Sequence, residues 1–93
     1  MKMNMSKTNI YTDNDKITNV VYYSTPIVRF NDYCISLDTG AYFTFTTKLR
    51  MNQVSKMFNL GYHVFQKNFK WFVKYQSKII PFIGNRVKLD RNF

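Results

Sequence analysis

The chain has no glutamate, and its 93 residues include one cysteine, one histidine, one tryptophan, two prolines and three glycines. The single thiol, Cys34, excludes an internal disulfide, and with no signal-like start the expected setting is a reducing cytoplasm. One cysteine and one histidine cannot build a structural zinc site. Asp13, Asp15, Asp32 and Asp38 are scattered over an arm and turns, whereas a metal-dependent nuclease needs clustered carboxylates. There is no glycine-rich phosphate loop. Cys34 lies in a β pattern and reads as a small core residue, and His63 as a structural strand histidine. No metal, no cofactor and no catalytic activity are expected. The longest apolar run, Ile79-Ile80-Pro81-Phe82-Ile83, is broken by proline and falls far short of the roughly 20 residues of a spanning helix, so no membrane partner is expected.

Acid is also missing locally. Residues 1–40 carry Lys2, Lys7, Lys16 and Arg29 against Asp13, Asp15, Asp32 and Asp38, which cancel. Every charged residue from 41 to 89 is basic, so the net charge of +9 sits in the second half. A coding bias toward A and T explains abundant lysine, but not the lack of glutamate, whose codons are no richer in G or C than those of aspartate. Uncompensated like charge repels itself, and a polyanionic partner relieves it.

What the chain has in plenty is aromatic rings: nine Phe and seven Tyr besides Trp71. Each buries roughly 150–250 Å², more than one small core needs, so some rings are expected at the surface.

Residues 1–16 are polar and aperiodic and read as a flexible arm; residues 17–93 read as a single α+β domain. Val20 to Tyr23 is β-branched and aromatic, and Pro26 stops pairing or marks an edge. Asn31-Asp32 suits a two-residue turn between Ile27–Phe30 and Tyr33–Leu37. Thr46 or Thr47 can cap a helix that Gly61 ends, with Met51, Val54 and Phe58 inward and Lys48, Asn52, Lys56 and Asn59 outward. Lys48 opposes the dipole of an acid-free first turn, a hint of an anion there. Gly84-Asn85 suits a hairpin between Ile79–Ile83 and Arg86–Leu89. The expected architecture is an antiparallel sheet of about five to six strands with one central helix packed on one face.

The segment 62–75 carries the candidate surface. A two-residue turn at Asn68-Phe69 pairs Lys67 with Lys70, Phe65 with Phe72 and His63 with Lys74. One face then holds Tyr62, Val64, Gln66, Trp71, Val73 and Tyr75, a core face. The other holds His63, Phe65, Lys67, Lys70, Phe72 and Lys74, two rings among bases. Bases of a single strand stack on such rings while ammonium groups hold phosphates. Two other readings stay open at this point: the rings lie under the helix with the lysines snorkelling outward, or they form a protein-binding patch. With Lys48, Arg50, Asn52 and Lys56 of the helix, Phe65, Lys67, Lys70, Phe72 and Lys74 form the candidate binding set.

Thr46-Thr47-Lys48-Leu49-Arg50-Met51-Asn52-Gln53, then Phe58-Asn59-Leu60-Gly61-Tyr62, Val64, Gln66-Lys67 and Trp71-Phe72-Val73 resemble a group of small accessory proteins encoded by tailed bacteriophages, over about residues 20–85. The resemblance implies a setting, the cytoplasm of an infected bacterium, and no site residue. Such proteins bind nucleic acid, or bind and disable host machinery. The expectation is therefore a basic phage protein that binds single-stranded nucleic acid or a nucleoprotein complex. The first alternative is an inhibitor of a host protein by direct binding, in anti-defence (anti-CRISPR, for example) or in transcription takeover, and the second is a small virion component.

Overall fold

A computed structural model describes residues 7–91. It is α+β, as expected, but the strands divide into two sheets. Strands β1 (Thr8–Thr12), β2 (Thr18–Tyr22), β3 (Thr25–Phe30) and β4 (Cys34–Asp38) precede helix α1 (Phe45–Met57). Strands β5 (His63–Lys67), β6 (Lys70–Tyr75), β7 (Lys78–Pro81) and β8 (Arg86–Asp90) follow it. One sheet has the order β1-β2-β3-β4-β8 and the other β5-β6-β7, with every pairing antiparallel.

The expected single sheet fails at Gly84-Asn85. The hairpin expected there shrinks to one bridge, Ile83 to Arg86, and the chain leaves one sheet for the other. β8 pairs with β4 along its whole length, from Cys34 opposite Asp90 to Asp38 opposite Arg86. The outer edge of β5 takes no further strand because α1 occupies it. The Asn52 amide donates to the Val64 carbonyl at 2.9 Å, and its Oδ1 accepts from the Val64 N–H at 2.7 Å. Ser55 Oγ treats the backbone of Tyr62 likewise, and the Tyr62 hydroxyl donates to the Met51 carbonyl. Burial pushes that phenol far above its ordinary value, which keeps it a donor. Helix side chains thus satisfy backbone groups that a sheet edge would otherwise leave open.

Three further details differ in part from expectation. The arm expected over 1–16 is in part a strand, since β1 pairs with β2 from Thr8 opposite Tyr22 to Thr12 opposite Thr18; residues 1–6 lie outside the described residues. The Asp13 carboxylate holds the intervening turn, accepting from the N–H groups of Asp15 and Ile17 and from the Asn19 amide. Pro26, for its part, lies inside β3 and stops pairing on one side only, since it faces Val21 of β2 but lies before the β4 ladder. It is tolerated because β3 meets β4 only from Val28 onward and a bulge at Val20/Val21 relaxes the β2 side. The β3–β4 turn is longer than expected: Phe30 pairs with Ile35, and Asn31 Oδ1 accepts from the N–H groups of Tyr33 and Cys34. The change is by two residues, so each side chain keeps its face.

Helix α1 begins two or three residues earlier than expected, with Thr44 as N-cap accepting from the Thr47 N–H. It ends in a Schellman motif. Asn59, at φ 55°, takes the left-handed position expected of Gly61, while Leu60 N–H reaches the Ser55 carbonyl and Asn59 N–H the Lys56 carbonyl. Its buried side holds Thr47, Arg50, Met51, Val54 and Ser55; Phe58, expected inside, is partly exposed beside Phe30. The helix packs against β3 and β5. The inner faces of both sheets share one core with it, including Val20, Val28, Ile35, Leu37 and Leu89 from one sheet and Val64, Trp71 and Val73 from the other.

Candidate functional site

The β5–β6 register is the one expected: His63 opposite Lys74, Val64 opposite Val73, Phe65 opposite Phe72, Gln66 opposite Trp71, and Lys67 opposite Lys70. Asn68 and Phe69 both have positive φ, 53° and 65°, as a type I′ turn requires. β7 extends the faces, because Phe72 pairs with Pro81 and Lys74 with Ile79. The outward rows are then His63–Lys74–Ile79, Phe65–Phe72–Pro81 and Lys67–Lys70.

The helix does not cover this face. Phe65 and Phe72 are half-buried, yet neither belongs to the core cluster or to the partly buried hydrophobics packed against it. Their burial comes from one another: the rings lie 5.7 Å apart and 24° from parallel. The His63 ring continues the row, 6.5 Å from Phe65 and 12° from parallel. Lys67, Lys70 and Lys74 are exposed around the rings. Among the described residues the one ion pair is Arg86–Asp38, so none of these three lysines is neutralised by a carboxylate. A row of rings flanked by free ammonium groups offers apolar aromatic surface and anion contacts side by side.

The helical part of the expected set does not join it. Arg50 is buried, with Nη1 donating to Gln53 and its guanidinium 5.6 Å from the Tyr22 ring centre. Asn52 spends both ends of its amide on Val64. Lys48 is half-buried, its ammonium within 5.9 Å of the Phe45 and Trp71 ring centres. Those ring faces accommodate the cation that the sequence reading took as a hint of an anion. Lys56 alone stands free on the helix. Arg50 and Asn52 therefore lie away from the β5–β6 face, the first turned toward the core and Tyr22 and the second committed to the Val64 backbone.

Sequence reasoning missed Phe69, Ile79 and Pro81. The first is 94% exposed at the tip of the β5–β6 turn. The other two follow from the β6–β7 turn at Gln76-Ser77, where both residues take positive φ, 49° and 64°, without the glycine or asparagine that signals such a turn. Gln66, assigned to the core face, is exposed at its end.

Other concavities suit a polyanion less well. A cavity of about 490 Å³ beside the helix start is lined by Tyr, Thr and Ser hydroxyls with Ile27 and no charged side chain. A groove of about 640 Å³ runs past Arg29, Arg86 and Lys88. There Arg29 Nε donates to Asn19 and Arg86 Nε to Asp38, so two of the three bases already have partners. Among the described residues no three of His, Cys, Asp and Glu form a group that could hold a metal, and no helix is long and apolar enough to cross a membrane.

No curated protein and no solved structure matches the chain. A family model does, that of the Kyanoviridae Gp96 protein, over residues 1–88. The match runs through both sheets and the helix, and so extends beyond the segments on which the resemblance rested. The chain belongs to the Kyanoviridae Gp96 family, a family of phage proteins.

Proposed function

We propose that this protein binds single-stranded nucleic acid, or a nucleoprotein complex, without catalysis, through the outer face of β5–β6–β7, in the cytoplasm of the infected bacterium. One observation carries the reading: Phe65 and Phe72 share an uncovered sheet face with Lys67, Lys70 and Lys74. Aromatic platforms of this kind hold successive bases at roughly 1–3 kcal/mol each with little sequence preference, because every base has a π-face. The excess charge of the second half steers a polyanion to the same sheet.

Filter binding of single-stranded DNA and RNA at two salt concentrations tests this. With three lysines on the face, about three phosphates are neutralised, and log K falls against log salt with a slope near about −2. No binding at about 50 mM salt with micromolar protein removes the reading. A second reading, direct inhibition of a host defence or transcription protein, draws on Ile79 and Ile83, which are 62% and 77% exposed on or next to this face. Aliphatic side chains give bases no stacking partner but are ordinary in protein interfaces. Copurification of one stoichiometric host protein, in place of bulk nucleic acid, selects this second reading.

A further inference from the structure

Phe69 combines two features that disfavour it. Its φ of 65° falls where glycine is the usual residue, and its ring is 94% exposed. A left-handed aromatic residue at a hairpin tip brings the folded chain strain and no burial. Residues in such conformations are enriched at functional sites. A cavity of about 320 Å³, at the small end of ligand pockets, lies beside Phe69. Trp71, Phe43 and Phe82 line it with rings, the last two meeting Trp71 edge-on at 84°. Phe72 and Pro81 of the central outward row also contribute to its lining, so the cavity borders the outer face at the hairpin end. Gln66 and Lys70 are its polar members.

We infer that this cavity receives one unpaired nucleobase of the bound strand. Phe69 closes over its face, the Gln66 amide meets its hydrogen-bonding edge, and Lys70 holds the adjoining phosphate. The chemistry favours a base over an aliphatic side chain: ring walls take a planar group, the Gln66 amide offers both donor and acceptor, and the charge at the rim is positive. The inference rests on the platform reading and adds a definite base-holding position to it.

Trp71 is the only tryptophan, so its fluorescence reports occupancy of the cavity directly. The full chain is titrated with a labelled oligothymidylate of about twelve nucleotides, following oligonucleotide anisotropy for binding and Trp71 emission for the cavity. A matched strand of abasic residues is the control. The thymidylate should bind and quench Trp71; the abasic strand should bind more weakly and leave emission unchanged. Phe69→Gly should raise the thermal midpoint by relieving the turn, weaken thymidylate binding about 5- to 150-fold and abolish quenching. Thymidylate binding with Trp71 unquenched and Phe69→Gly at full affinity overturns the cavity inference and leaves the platform standing. Absence of any strand binding overturns both. A lowered midpoint in Phe69→Gly overturns the inference too, because Phe69 is then a structural residue.

Discussion

Trp71 and Phe72 are neighbours on β6 that point to opposite sides, and truncating each to alanine measures whether one side is open. Trp71 is 5% exposed, with Phe43 and Phe82 packed edge-on against its ring at 5.4 and 5.8 Å. Trp71→Ala should cost roughly 3–5 kcal/mol, the usual loss for a large buried ring. Phe72 meets one ring, Phe65, and its cross-strand partner Pro81. An aromatic pair on a half-open face is worth about 0.5–1.5 kcal/mol, so Phe72→Ala should cost about 1 kcal/mol. Urea denaturation followed by circular dichroism resolves the gap. At a slope of about 1–1.5 kcal/mol per M, the midpoint should fall by about 2–5 M for Trp71→Ala and by no more than about 1 M for Phe72→Ala. A chain of this size has only about 5–14 kcal/mol in all, so Trp71→Phe serves as a milder variant, expected to lose more than Phe72→Ala while remaining folded. Equal large losses at Trp71 and Phe72 would mean that the outer face is covered, and the platform would fall with it.

Asn52→Ala breaks both bonds to Val64 and strands two backbone groups at the helix–β5 seam, which should cost about 2–3 kcal/mol. A loss below about 0.5 kcal/mol in the same denaturation experiment would show that water replaces the amide freely. Acid should loosen the β1–β2 turn. Hydrogen bonds to the Asp13 carboxylate, first that from the Ile17 N–H, hold its pKa below the ordinary 3.8. A depressed carboxylate stabilises the fold above its unfolded value, so the contribution is present at neutral pH and lost as pH falls below 3.8 through the folded value. Amide exchange at Ile17 should accelerate in that window while the β3–β4 amides stay protected; unchanged Ile17 protection would refute the assignment.

The β5–β6 hairpin was legible because a two-residue gap and a strict alternation fix its register locally. The helix was legible for a similar reason, through Met51 and Val54. Its polar buried residues were not: Asn52 and Ser55 look like surface positions until β5 is placed beside them. The division into two sheets depends on β8 pairing with β4, from Asp38 to Arg86 across the helix and a whole second sheet, and no local pattern specifies so distant a partner. β1, Thr8 to Thr12, has no fully buried side chain and therefore leaves no strong alternation to read. Phe69 was legible as a turn residue, but the exposure of its ring at the tip follows only from the folded hairpin.

Chemical-shift mapping of the labelled protein against a short single-stranded oligonucleotide locates the bound strand on, or away from, the outer face of β5–β6–β7. Perturbed resonances should gather on His63, Phe65, Lys67, Lys70, Phe72 and Lys74, with Arg50 and Asn52 unmoved. Perturbations centred instead on Arg29 and Lys88, or on the helix, would contradict binding at that face, as would none at all.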